Sequence, residues 1–200
     1  MLKIPIDRSR FFMQYRRAFG ALNQSQVTGL TQLLAFIEQD VKLTKDHRWV
    51  CYALATVMHE TADTWHPIKE FGDKEYFLRR YWTNAKVRSR LGNRFPVDAI
   101  ELYGRGYAQI TGFRNYNNFS RILGIDLIQN PDLALVPGNA YRILSIGMIQ
   151  GEFTRKNLQR YINPTICNYL EARRIINGTD QAPLIAGYAK GFESCVESRP

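Results

Sequence analysis

Cysteine, acidic side chains and long apolar runs are all scarce in this 200-residue sequence. The three cysteines, Cys51, Cys167 and Cys195, are odd in number and widely spaced with no CxxC, which excludes a metal ribbon and a disulfide framework. Cys51 sits in an apolar run and reads as a buried thiol, while a Cys167–Cys195 pair is a minor alternative that reducing compartments disfavour. No stretch approaches the roughly 20 apolar residues that a spanning helix needs. The opening residues, Met1 to Asp7, show no apolar core or cleavage site of a secretory leader. The expectation is a protein made in the cytoplasm without a signal peptide, which something else must release. Low-complexity tracts, internal repeats and Pro/Gly/Ser-rich linkers are also missing, so residues 1–200 are expected to form a single domain with no separate binding module.

Composition is otherwise ordinary for a globular chain, with 45% hydrophobic and 22% charged residues. The balance of 27 Lys and Arg against 18 Asp and Glu gives a formal charge of +9. Such a balance implies attraction to polyanions, among them nucleic acid, acidic lipid headgroups and the anionic bacterial envelope.

Helical periodicity dominates. Asp7 can cap a helix carrying Phe11, Phe12, Tyr15 and Phe19 that stops at Gly20, and a second helix is expected over about 25–41. A third begins near Asp46 and has no charged residue from Trp49 to Met58, which predicts burial on most sides. The stretch from Lys74 to Arg94 holds seven Lys or Arg against one Glu and reads as loop-rich. Three glycines between Gly104 and Gly112 favour a turn or short hairpin. Further helices are expected at about 114–123, 138–152, 164–177 and 181–196.

The carboxylate of most interest ends the third helix. Glu60 continues the face of Trp49, Tyr52 and Thr56, so its carboxyl group is expected in partly apolar surroundings that favour the protonated form a general acid needs. A glycosidase requires a second carboxylate. Asp63 is too near in sequence to leave room for a water, which leaves Glu70, with Glu75 as its alternative. A zinc site from His59, Asp63 and His66 is conceivable, but H-E-x-x-D is not the H-E-x-x-H of the metalloproteases, so no metal is expected.

Tyr103 to Gly112 suits a sugar. Its glycines permit close approach of the backbone to a ligand. Tyr103 and Tyr107 offer ring faces to a pyranose, and Gln109, Thr111 and Asn115 offer neutral hydrogen bonds. Gly104-Arg105-Gly106 lacks the third glycine of a dinucleotide fingerprint, so no cofactor is expected.

In order along the chain stand His59-Glu60-Thr61, Pro67-Ile68-x-Glu70, Leu91-Gly92-Asn93, Tyr103-Gly104-Arg105-Gly106-Tyr107-x-Gln109-Ile110-Thr111-Gly112-x-x-Asn115-Tyr116, Asn130-Pro131-Asp132-Leu133 and Arg173-Arg174-Ile175-Ile176-Asn177-Gly178. This series resembles the glycoside hydrolase family 19 chitinases, and within them looks most like phage and bacterial endolysins. The resemblance implies a mainly α, lysozyme-like, two-lobed helical fold with a small β-hairpin or loop region lining the cleft. It also implies inverting hydrolysis of a β-1,4 bond beside an N-acetyl sugar, without metal or cofactor.

By position in these motifs Glu60 is the general acid, while the base, Glu70 with Glu75 behind it, is chosen from its place in or beyond the loop that follows the third helix. Gln109, Thr111 and Asn115 fall where the family has substrate and water contacts, Thr111 replacing a serine of the plant enzymes, and Arg174 and Asn177 fall in its C-terminal cleft-wall motif; His59, Tyr103 and Arg105 complete the expected substrate-binding set. The sequence departs from the family at Ala62-Asp63, where the chitinases commonly have Gly-Gly, and in the loop that carries the base in plant enzymes. An inverting reaction would set the two carboxyl groups roughly 6.5–9.5 Å apart.

Chitin and peptidoglycan both present β-1,4-linked N-acetylglucosamine. Charge and the missing leader favour peptidoglycan strands in an anionic envelope, reached by a monomer through a membrane lesion that another protein makes. A chitinase is the alternative. A non-catalytic basic protein that binds wall or nucleic acid is the reading of another class, resting on Tyr76, Phe77, Tyr81 and Trp82 among the cations of Lys74–Arg94.

Overall fold

The computed structural model describes residues 6–196. Asp7 accepts from the Arg10 amide to start α1 (Arg8–Phe19). Asn23 and Gln26 form a reciprocal capping box that starts α2 (Gln24–Gln39), satisfying amides that have no partner within the helix. Asp46 caps α3 (His47–Glu60). After β1 (Ile68–Lys69) come α4 (Lys74–Leu78), a π turn over Arg79–Thr83 and α5 (Ala85–Leu91). Then follow α6 (Pro96–Glu101), β2 (Arg105–Gly106), α7 (Gly112–Leu123) and α8 (Pro137–Gln150). The chain continues with α9 (Leu158–Tyr161), β3 (Ile162–Asn163), β4 (Ile166–Cys167), α10 (Tyr169–Ala172) and α11 (Ala182–Val196). The fold is mainly helical, with two antiparallel two-stranded sheets, β1–β2 and β3–β4, among the described residues.

Two stretches differ from expectation. Lys74 to Arg94 is not loop-rich, because Asp73 caps α4, Asn84 caps α5, and Gly92 ends α5 in the left-handed conformation. No continuous helix covers 164–177. There the side chain of Asn163 accepts from the amides of Thr165 and Ile166, closing the β3–β4 turn before a short helix and a 3-10 turn.

The chain divides into two compact units. The first comprises the described residues up to His66 and from Leu144 onward. Its axis is α3, in which every residue from Trp49 to Met58 is buried, with α11 packed along it. Phe11, Tyr15, Phe19, Trp65 and Phe192 build an aromatic cluster beside α3, with ring centroids 4.7–6.4 Å apart. Trp49 Nε1 donates to the Ile162 carbonyl at 2.8 Å and ties the β3–β4 hairpin to α3.

The second unit runs from Pro67 to Ile143. β1 pairs with β2, Ile68 opposite Gly106 and Lys69 opposite Arg105. At the start of α7 a Cβ on Gly112 (φ +81) would come within 2.5 Å of Leu91 Cβ, so the helix can sit this near α5 only because that position is glycine.

Candidate active-site residues

In the first unit Glu60 is the last residue of α3. Its Oε1 accepts from Arg173 Nη1 at 2.5 Å, with the arginine side chain 4% exposed and the carboxylate 15%. The surroundings therefore differ from the expected apolar wall, since a buried guanidinium needs a carboxylate and fixes where this one points. Arg173 is itself held by Nε donating to the Asp180 carbonyl at 3.0 Å. Burial pushes the Tyr52 hydroxyl pKa far up, with Glu60 adding to the rise and Arg173 opposing it, which places this tyrosine in the field of the pair.

Beyond Glu60 the chain turns sharply. Ala62, Asp63 and Trp65 all take positive φ, 49°, 60° and 63°. None of the three is a glycine, so the left-handed conformation costs about 1 kcal/mol at each. Thr61 stabilises the turn, its hydroxyl donating to the Val57 carbonyl and accepting from the Trp65 amide. His59 lies half-buried in the last turn of α3. Asp63 accepts from Tyr15 and Gln26, and His66 meets Ser25.

In the second unit Glu70 follows β1 and is heavily hydrogen-bonded. Tyr81 donates to it at 2.7–2.8 Å, Tyr76 at 3.2 Å and the Gly104 amide at 3.3 Å, and Arg80 Nε lies 3.5 Å away. The pKa of Tyr81 is driven up by burial and then by its bond to Glu70, so the hydroxyl remains a donor. A Cβ on Gly104 would lie 2.8 Å from Gln109 Oε1 and 3.3 Å from Glu70 Oε2, so a larger residue here would displace the Gln109 side chain. Glu75 is exposed and lines a cavity of about 400 Å³ with Phe71, Asp73, Tyr76 and Arg79.

Gln109, Thr111 and Asn115 come together through short links. Gln109 (φ 52°) donates both amide hydrogens to the carbonyls of Ile68 and Gly106. Thr111 Oγ1 donates to the Gln109 carbonyl, and Asn115 Nδ2 to the Thr111 carbonyl. What these side chains keep for a ligand is mainly oxygen: Gln109 Oε1, the Thr111 hydroxyl lone pairs and Asn115 Oδ1.

Several expected sugar contacts have other work. Arg105 is 4% exposed and donates to Asp132, to the Glu101 and Tyr103 carbonyls and to Tyr116, so it braces the unit's interior instead of reaching a ligand. The Tyr103 ring stacks on Phe77 at 4.3 Å, and the Arg105 guanidinium lies 3.9 Å from its centroid. Two groups that near one centroid occupy opposite faces, which leaves Tyr103 no face for a pyranose. Tyr107 is 1% exposed and likewise cannot stack on one.

Arg174 pairs with Glu171 at the surface, and the Asn177 side chain is occupied with the Gly178 amide. Arg173, not its neighbour Arg174, reaches Glu60. In the sequence the doubled Arg173-Arg174 does not by itself say which of the two turns inward. The aromatics of Lys74–Arg94 also face inward or carry partners. Phe77 lies between Tyr103 and Tyr81, Tyr81 is bound to Glu70, and Arg88 covers Trp82. All three cysteines are free, so Cys167 and Cys195 do not pair.

The fold is that of a chitinase. More narrowly, it is the fold of glycoside hydrolase family 19. Chitinase C from Streptomyces griseus HUT6037 superposes with a TM-score of 0.57 at 20% identity, covering 94% of this chain and 78% of that one. A bacterial family 19 chitinase gives 0.56 at 20% identity, covering 93% and 95%. In sequence, the chain is 33% identical over 90 residues to Endochitinase A2 of Pisum sativum, a stretch that is 43% of this chain and 27% of the pea protein. The chain thus spans about a quarter of that relative's length. No family model matches.

Proposed function

We propose that this protein is a glycosidase that hydrolyses β-1,4 bonds beside N-acetyl sugars, with Glu60 as general acid and Glu70 as general base. The observation that carries the reading is the Glu60 carboxyl, fixed at the end of a buried helix by Arg173 at the position that the family resemblance gives to the proton donor. The chitinase fold and the 90-residue similarity to a pea endochitinase support it.

In the proposed reaction Glu60 gives its proton to the glycosidic oxygen as the bond to the anomeric carbon breaks. A water attacks that carbon and Glu70 takes the water's proton, so the product anomer is inverted. The tyrosines around Glu70 hold its oxygens in place. Gln109, Thr111 and Asn115 offer oxygens to sugar hydroxyls and to an N-acetyl N–H.

The named relatives favour chitin oligomers as substrate. A second reading, peptidoglycan strands cut by an endolysin-type enzyme that reaches the wall through another protein's membrane lesion, is favoured by the +9 charge. Purified protein incubated separately with chitin hexasaccharide and with bacterial sacculi, and the products weighed by mass spectrometry, separates the two. Oligosaccharides from chitin with intact sacculi would remove the peptidoglycan reading. Cleavage of neither would remove the glycosidase.

A further inference from the structure

Where α5 ends and α6 and α7 begin, the second unit presents an apolar tip among cations. Phe95 is 59% exposed and Val97 54%, with exposed Pro96 between them. The tip is rigid, because the buried Asp98 carboxylate accepts from the amides of Arg94 and Phe95 and locks the first turn of α6. Exposed Arg90 and Arg94 flank it in sequence, and exposed Arg114 lies against the same end of α5, its Cβ 3.0 Å from where a Cβ on Gly92 would sit. Arg94 lies 3.4 Å over the Phe113 ring, and Arg114 is anchored by donating to the Ser89 carbonyl at 3.0 Å. The acidic groups nearby are Asp98, which faces inward and lies 3.6 Å from Arg94 Nε, and the exposed Glu101 at the far end of α6. Between Tyr76 and Val97 the sequence has six cations and no acid.

We propose that this tip docks on the surface of an anionic lipid bilayer, Phe95 and Val97 entering the boundary between headgroups and acyl chains while Arg90, Arg94 and Arg114 meet lipid phosphates. Exposed apolar side chains ringed by cations are what such a surface rewards, since it offers apolar burial and negative charge within one side-chain length. Nucleic acid is the poorer fit. Val97 and Pro96 have nothing to stack on a base, and one face of Phe113 and of Trp82 is already covered by an arginine.

Co-sedimentation with vesicles tests this. The protein is expected to pellet with vesicles of equimolar phosphatidylglycerol and phosphatidylcholine, and to stay in solution with phosphatidylcholine alone. Phe95→Ser/Val97→Ser should weaken binding at least about tenfold. Arg90→Gln/Arg114→Gln should weaken it about fivefold per charge and flatten its salt dependence. Both pairs are exposed, so unchanged circular dichroism is expected to show intact folding. Unchanged hydrolysis of soluble chitin oligomers by Phe95→Ser/Val97→Ser would separate this proposal from the glycosidase reading. Failure to bind the anionic vesicles, equal binding to neutral ones, or binding indifferent to Phe95→Ser/Val97→Ser would each overturn the proposal. So would tight binding of a short DNA duplex by protein that leaves vesicles untouched.

Discussion

Arg173 Nη1 lies 2.5 Å from Glu60 Oε1, and this ion pair joins a nearly inaccessible guanidinium to the C-terminal residue of the central helix α3. Each partner needs the other. Uncompensated, the buried arginine is costly, and without it the carboxylate loses its fixed direction.

Arg173→Ala is accordingly expected to cost about 3 kcal/mol of stability and about 10²-fold in kcat through misplacement of the acid. Arg173→Lys keeps the charge but loses the planar fork and the bond to the Asp180 carbonyl, and should fall between the two. Urea unfolding and turnover of a chitin oligomer, measured on the same preparations, check both effects. Near-normal turnover by Arg173→Ala would remove any positioning role.

Tyr81→Phe deletes the hydroxyl that donates to both oxygens of Glu70. Loss of a hydrogen bond to a charged group predicts a cost of about 1.5–3 kcal/mol. If Glu70 is the base, kcat should fall with little change in KM, while a purely structural network would move stability alone.

The candidate site was legible in part, and the reasons differ by residue. The cap at Asp7, the start near Asp46 and the uncharged run of α3 are local signals from which α1 and α3 follow, while the Asn23 cap that starts α2 shows only in the structure. Arg105 misleads because its partner Asp132 is 27 residues distant, and a glycine-flanked arginine looks ligand-facing until that partner is in view. Arg173 and Glu60 are 113 residues apart, so nothing local decides which arginine of the pair turns inward. The 74–94 stretch hides its helices behind surface arginines and a π turn that breaks the period. At 164–177 the Asn163 side chain closes a hairpin turn, and only a short helix and a 3-10 turn follow it.

Ala62→Gly should stabilise the protein by about 1 kcal/mol. Ala62 holds φ 49° on an exposed turn, a conformation that glycine takes without steric penalty. A shift of the urea midpoint to higher concentration with unchanged slope checks it, and a lower midpoint would show that the turn is unstrained.

Alkaline behaviour follows from the buried phenols. Tyr15, Tyr52, Tyr81, Tyr107, Tyr116 and Tyr169 all have hydroxyl pKa values raised by burial. The unfolded chain ionises them near pH 10, whereas the folded one keeps their protons. Their stabilising contribution is therefore complete below about pH 10 and is lost as pH climbs toward the raised values. Ultraviolet titration should show these six hydroxyls keeping their protons until the protein unfolds. A thiol reagent near neutrality should find one fast site, exposed Cys167, since Cys51 is buried and burial pushes the Cys195 thiol up to about 11.

The central claim is that Glu60 donates the proton. Glu60→Gln keeps an amide oxygen that can still accept from Arg173, so the fold is expected to survive, as circular dichroism can confirm. Hydrolysis of a chitin oligomer at saturating substrate by this variant is the most direct measurement. A loss of about 10²–10⁴-fold in kcat with intact folding is the predicted result, and turnover close to that of the parent protein would contradict it.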